Sequence, residues 1–148
     1  MLIVALVLVG CGGPKGLNTQ YVEGVVTLDG QPLEKAMVTF VPESPGTDTK
    51  TAVGHTDSSG KYTLTSDGGL PQKGALEGNY KVTISKVEIT TQAEDRSSTP
   101  PGGSRTPPKY STQTVITPQV YSTATTTPLK ATVQKGRNDI PFAMEGRK

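Results

Sequence analysis

The sequence predicts an all-β protein, folded as one antiparallel β-sandwich of about seven short strands. Three observations lead to this prediction. Apolar residues recur at every second position in several short segments, which is the spacing of a strand with one buried face. Glycine (17) and proline (12) are plentiful between those segments, as turns require. Aromatic residues make up only 5%, and the 148 residues are enough for a single domain.

The first hairpin is the clearest local prediction. Residues 21–29 alternate so that Val22 and Val26 share one face, which predicts a strand. Asp29 and Gly30 follow, and both residue types tolerate the positive φ of a tight turn. The next strand is expected at residues 36–41, with Phe40 inward.

The remaining strands follow the same reasoning. They are expected at residues 51–57, 61–65, 79–86, 129–134 and 140–144. Tyr62 and Tyr80 each follow a glycine turn closely, and each is expected to bury its ring while its hydroxyl reaches backbone at an end of the sandwich. Pro141 cannot donate to a ladder, so the last strand is expected at a sheet edge.

The amino-terminal segment predicts processing and lipid attachment. Met1 to Val9 are all apolar, which is too short to cross a bilayer and fits the apolar region of a signal peptide. The run ends in Leu8-Val9-Gly10-Cys11, which resembles the lipobox of bacterial lipoproteins. That resemblance implies cleavage after Gly10 and a thioether from Cys11 to diacylglycerol.

Three segments follow from this interpretation. Residues 1–10 are a cleaved signal peptide, residues 11–19 are a lipidated tether, and residues 20–146 form the sandwich domain. No Lys or Arg precedes the apolar run, which departs from the usual signal peptide: either the true start lies upstream of Met1 or the signal is weak. The alternative interpretation is an apolar first strand that ends in a buried free cysteine, although Gly-Cys-Gly-Gly-Pro is poor strand material.

The motifs of the domain resemble those of a known family. Leu28-Asp29-Gly30-Gln31-Pro32-Leu33, Gly60-Lys61-Tyr62 and Gly78-Asn79-Tyr80-Lys81-Val82 look like the hairpins of carboxypeptidase-regulatory-like domains. The later motifs Pro118-Gln119-Val120-Tyr121, Thr127-Pro128-Leu129 and Gly136-Arg137-Asn138 resemble small bacterial surface lipoproteins built from one such domain. The resemblance implies a transthyretin-like, broadly Ig-like sandwich at a cell surface, and it implies no catalytic residues.

A long segment interrupts the strands. Residues 97–128 contain 20 Ser, Thr or Pro residues, so a disordered or irregular surface loop is expected at about 88–127. Three interpretations stay open: a solvated loop, a loop that grips a partner or ligand with Tyr110, Val115, Ile116 and Tyr121, or a modified Ser/Thr-Pro stalk.

Charge and residue types limit the possible functions. The net charge of +2 does not indicate nucleic-acid binding. Acidic residues exceed basic ones over residues 11–95, whereas basic residues exceed acidic ones over residues 96–148, which could rest on an anionic surface or simply be solvated. His55 is the only histidine and Cys11 the only cysteine, so no catalytic dyad, thiolate zinc site or other metal or cofactor site is expected. Aspartates in turns are expected to cap backbone amides, with a calcium site as the alternative.

These observations predict a protein that is not an enzyme. We expect a lipid-anchored component of a bacterial cell envelope, periplasmic or surface-exposed, with a structural, adhesive or accessory role. Its expected partners are the membrane, through the lipid on Cys11, and an envelope protein or polysaccharide. The alternative is a module that binds carbohydrate or another small ligand through loops at one end of the sandwich.

Overall fold

The computed structural model describes residues 18–44, 46, 50–67, 72–92 and 110–146. The predicted signal peptide (residues 1–10) and the predicted lipid-attachment residue Cys11 lie outside the described residues, as does the segment 93–109. Strands make up more than half of the described residues and the only helix among them is one short 3-10 turn, which confirms the all-β prediction. The strands are β1 (Tyr21–Leu28), β2 (Gln31–Pro32), β3 (Met37–Pro42), β4 (Ala52–His55), β5 (Lys61–Thr63), β6 (Thr65–Ser66), β7 (Gln72–Lys73), β8 (Gly78–Ser85), β9 (Val87–Gln92), β10 (Tyr110–Val115), β11 (Lys130–Val133), β12 (Arg137–Asp139) and β13 (Phe142–Met144). A short 3-10 helix spans Gln119–Tyr121.

Two sheets form the sandwich. The larger sheet has the order β11-β8-β3-β4-β6-β7, and all its neighbours are antiparallel. The smaller sheet is organised around β1, which pairs antiparallel with β2 and β5 on one side. The third unit is a two-stranded ribbon of β9 and β10.

The carboxy-terminal strands depart from a purely antiparallel sandwich. β12 and β13 both pair with β1 in parallel, with Tyr21 opposite Arg137 and Val26 opposite Phe142. Within the described residues β13 pairs with β1 alone, so the strand after Pro141 lies at a sheet edge, as predicted.

The core lies between the two sheets. The alternation predicted from sequence is observed, because Phe40, Tyr62, Tyr80 and Phe142 are all buried. Their rings cluster, with centroid distances of 5.7 to 6.4 Å around Phe40 and Tyr62. Every buried apolar residue described falls between Val22 and Met144, so a fragment of residues 12–148 contains all of them.

Turn chemistry also follows the sequence. Asp29 and Gly30 both have positive φ, at 50° and 80°, and connect β1 to β2 in a two-residue turn. Asp57 Oδ1 accepts hydrogen bonds from the backbone N–H of Ser59 (2.9 Å) and of Lys61 (3.0 Å). Asp29 therefore provides a backbone conformation that its turn requires, and Asp57 caps the backbone amides of its own turn.

The predicted irregular loop at about 88–127 is partly regular. Residues 88–92 and 110–115 lie in β9 and β10, and residues 119–121 lie in the 3-10 helix. The Ser, Thr and Pro content favoured an irregular loop. Threonine, however, is β-branched and favours strands when a partner strand is available. The polar composition hid the pairing, because few apolar residues alternate there.

Candidate functional site

The chain enters the sandwich at one end, which we call the tether end and define by Gln20, Ala75 and Gly136. Gln20 N–H donates to the Ala75 carbonyl at 2.7 Å, and Ala75 N–H donates back to the Gln20 carbonyl at 3.0 Å. The side-chain oxygen of Gln20 accepts from Gly136 N–H at 2.8 Å. Any tether from Cys11 therefore meets the domain at a fixed point between three segments.

The ribbon of β9 and β10 leaves from the opposite end. β8 begins at Gly78, next to the tether end, since Gln20 Nε2 donates to Glu77 at 3.1 Å. Its eight residues carry the chain away by roughly 25 Å, at about 3.3 Å per residue. β8 ends at Ser85, and β9 starts two residues later, beyond the start of its neighbour β3 at Met37.

One face of the ribbon is apolar near its base. Residues directly opposite in a ladder share a face, so the pairs Val87–Val115 and Ile89–Gln113 lie on the same side. The exposed fractions of Val87, Ile89 and Val115 are 48%, 64% and 60%. A two-stranded ribbon has little stability by itself, and here its apolar residues are exposed rather than packed in the core.

The base of the ribbon is fixed by hydrogen bonds. Ile116 N–H donates to the Lys86 carbonyl at 3.0 Å, and Lys86 N–H donates to the hydroxyl of Thr117, also at 3.0 Å. Thr117 is buried, and Ile116 packs against the core. The ribbon therefore has an ordered junction with the sandwich.

A cavity of about 570 Å³ lies beside this junction. Its lining residues are Ser85, Val87, Val115, Ile116, Thr117, Pro118, Gln119 and Ser122. None of these described residues carries a charge or an aromatic ring. The lining can therefore contact a neutral, partly apolar group, but it offers no side chain for proton transfer and no stacking platform for a sugar.

A second cluster joins β1, β5 and β12 through a largely buried carboxylate. Glu23 has a side-chain exposure of 9%. It forms an ion pair with Arg137, whose Nε donates to Oε1 at 3.0 Å, and another with Lys61 at 3.0 Å. The guanidinium of Arg137 lies 5.3 Å from the centroid of the Tyr21 ring.

The cluster has a structural role. The hydrogen bonds from Arg137 and Lys61 lower the pKa of Glu23 from 4.5 to about 2. The carboxylate therefore stays charged and paired over the whole physiological range, and it is unsuited to donating or accepting protons in a reaction. It connects the first strand to both of its neighbours.

The other residues singled out by sequence do not form a site. His55 is exposed on β4, as its position in the alternation predicted. In the part of the chain that the structure describes, no group of three His, Cys, Asp or Glu residues could hold a metal ion. Among the same residues, no helix combines the length and apolar character needed to span a bilayer.

Sequence reasoning missed the ribbon face. Tyr110, Val115, Ile116 and Tyr121 were expected on one gripping loop, but the structure separates them. Val115 is exposed on the ribbon, whereas Ile116 and Tyr121 pack against the core. Val87 and Ile89 were not predicted to share a strand face, although their spacing of two within a β-branched segment was a usable signal. Comparisons of the chain with protein-family models, with curated proteins and with solved structures found no match.

Proposed function

We propose that the protein is a lipid-anchored, non-catalytic component of a bacterial cell envelope that holds a β-ribbon away from the membrane for contact with another macromolecule. One observation carries the proposal: the tether end and the ribbon lie at opposite ends of β8. An anchor at one end of a rigid sandwich keeps the other end away from the lipid surface.

The sequence supports the anchor. Leu8-Val9-Gly10-Cys11 closes an apolar run, and eight residues separate Cys11 from Gln20 at the entry to the sandwich. A lipid on Cys11 contributes to membrane binding through each buried methylene, at about 0.8 kcal/mol, and stable anchoring takes more than one acyl chain. The motifs that resemble those of carboxypeptidase-regulatory-like domains support a surface role for the sandwich.

The cavity beside the ribbon supports a second candidate function, the binding of a small neutral ligand. Its lining of Val115, Ile116 and Pro118 with Thr117 and Ser122 suits an apolar group that carries a hydroxyl or an amide. A carbohydrate is a poorer match than such a ligand, because the described lining residues provide no aromatic ring.

The anchor is tested by growing cells that express the protein with an alkyne-bearing fatty acid. We expect the wild-type chain to carry the label and Cys11→Ala to lose it. Lys15→Ala, which changes the tether but not the acceptor, is the matched control and should keep the label. Label that persists in Cys11→Ala would refute the lipid attachment.

The ribbon contact is tested by photo-crosslinking in the native envelope. A photoreactive residue at Ile89 should give crosslinked products, whereas one at Thr63, exposed on β5 of the sandwich, should give few. Equal products at the two positions would show that the ribbon is not a preferred contact surface.

A further inference from the structure

Within the part of the chain that the structure describes, one edge of β10 is unpaired. In an antiparallel ladder, hydrogen-bonded and non-hydrogen-bonded pairs alternate. The bond from Ile116 N–H to the Lys86 carbonyl identifies that pair as hydrogen-bonded. Counting along the register, the pairs Val115–Val87, Gln113–Ile89 and Ser111–Thr91 are then non-hydrogen-bonded. Their backbone N–H and C=O groups point outward, away from the ribbon.

Among the described residues, the free edge of β10 has none of the usual protection. Soluble proteins protect edge strands with charge, proline, bulges or covering segments. β10 reads Tyr-Ser-Thr-Gln-Thr-Val, with no charge, no proline and no glycine. Such a six-residue segment has the composition of strands that pair with copies of themselves. In the described part of the chain, β10 pairs only with β9.

We propose that a second copy of this chain pairs with β10 along this edge, antiparallel and centred on Gln113, to join two ribbons into a four-stranded sheet. The outward N–H and C=O of Gln113 would bond to those of Gln113 in the second copy. The pairing is isologous, so each copy contributes the same strand.

Side-chain chemistry favours a second copy as the occupant. In this register Thr112 lies opposite Thr114 of the second copy, and Ser111 lies opposite Val115. No like charges meet, and threonine pairs across strands are favourable. The two-fold axis is perpendicular to the sheet, so Val87, Ile89 and Val115 of both copies lie on one face. The joined sheet thus has two apolar patches on this face, one near each junction.

Antiparallel pairing has a consequence for the tethers. The two sandwiches would lie at opposite ends of the joined sheet, since each is attached to its own Ile116 end. Each tether end is the end of its sandwich away from the ribbon. Pairing would therefore connect two copies whose tethers are anchored in two opposing membrane surfaces. This inference goes beyond the proposed function, and the pairing itself does not require the lipid.

The pairing is tested by disulfide trapping in the fragment of residues 12–148, which contains no native cysteine. In a hydrogen-bonded antiparallel pair the Cα atoms are about 5.5 Å apart, within the range that a disulfide spans. Gln113→Cys should therefore form a covalent dimer on mild oxidation. Ile89→Cys is the matched control: it lies on the same face and is exposed, but its two copies would be about 14 Å apart. Equal dimer yields from the two variants, or no dimer from Gln113→Cys, would overturn the proposal.

Sedimentation velocity provides a test without cysteine. The average mass of the wild-type fragment should rise with concentration, and Gln113→Lys should abolish that rise by placing two like charges opposite each other. Thr114→Lys adds the same charge one residue away, opposite Glu88 of its own ribbon and Thr112 of the second copy, and should still associate. Wild-type fragment that stays monomeric at every concentration, or association that survives in Gln113→Lys, would overturn the proposal. Because lipid labelling of Cys11 is measured separately, failure of the anchor and failure of the pairing are distinguishable.

Discussion

The phenolic hydroxyl of Tyr62 donates a hydrogen bond of 2.7 Å to the carbonyl oxygen of Ile140, 78 residues later in the chain. Ile140 lies between β12 and β13, so this bond ties β5 to the carboxy-terminal strands across β1. Gly24 of β1 pairs with Tyr62 and lies beneath the contact. β5 and the carboxy-terminal strands lie on opposite sides of β1, and this hydrogen bond links them directly in addition to their pairing with β1.

We expect Tyr62→Phe to lower the free energy of unfolding by about 1 kcal/mol, the usual net contribution of a hydrogen bond, with a further cost if the carbonyl is left unsatisfied. The ring itself stays, so the core packing is kept. Urea unfolding of the 12–148 fragment measures the change. Tyr21→Phe is the comparison: it removes a longer hydrogen bond, 3.2 Å from the Tyr21 hydroxyl to Glu23 Oε2, at a half-exposed position, and should change stability less. An unchanged midpoint for Tyr62→Phe would show that the bond contributes nothing measurable.

The pKa of Glu23 predicts an acid-sensitive stability. Because pairing with Arg137 and Lys61 lowers the pKa to about 2 in the folded protein from 4.5, the carboxylate stabilises the fold above about pH 5. That contribution is lost as the pH falls from about 4.5 through 2. Glu23→Gln should therefore lower the urea midpoint at pH 7, and the difference from wild type should shrink towards pH 2.

Glu34→Gln is the control for the acid effect. Its ion pair with Lys35 is exposed, and such pairs contribute little to stability. We expect its midpoint to follow that of the wild type from pH 7 to pH 2. A gap between Glu23→Gln and wild type that stays constant over this range would contradict the assignment of the effect to ionisation.

Much of the sandwich could be predicted because each inward residue repeats at the strand period. Phe40, Tyr62 and Tyr80 were all assigned inward from alternation, and all three are buried. The hydroxyls of Tyr62 and Tyr80 reach backbone carbonyls, as expected from their positions after glycine turns.

The parallel pairing of β12 and β13 with β1 could not be predicted. Alternation reports which face of a strand is buried, but it carries no information about which strand lies beside it. Glu23 illustrates a second gap. Alternation puts it on the face of β1 opposite Val22 and Val26, yet partners 38 and 114 residues away in the chain, Lys61 and Arg137, leave its side chain only 9% exposed. Long-range contacts of this kind leave no local pattern in the sequence.

The space beneath the Tyr62–Ile140 bond predicts a strong effect of Gly24→Ala. An added Cβ would lie 2.1 Å from the Ile140 carbonyl oxygen and 2.9 Å from the Tyr62 ring. The Ile140 backbone can move out of this contact only if the carboxy-terminal strands separate from β1. We therefore expect the free energy of unfolding to fall by about 1–3 kcal/mol or more. Val25→Ala, one residue away and partly exposed, is the control and should cost less. Equal stability of the two variants in urea would contradict the close packing of this site.

Removal of the ribbon tests whether it belongs to the core. No buried residue of the described core lies in β9 or β10, and the junction residues Lys86, Ile116 and Thr117 lie outside both strands. We expect that replacing residues 87–115 by Asn-Gly, so that the turn closes on the hydrogen-bonded pair Lys86–Ile116, lowers the free energy of unfolding by no more than about 0.5 kcal/mol. The shorter connection itself acts in the stabilising direction, because each halving of a connection lowers its closure cost by about 0.6 kcal/mol. Calorimetry and urea unfolding of the 12–148 fragment measure this, with Ile116→Ala in the intact fragment as a variant expected to be less stable. A large loss on deletion would mean that the ribbon stabilises the sandwich, and its exposed apolar face would then need no partner to account for it.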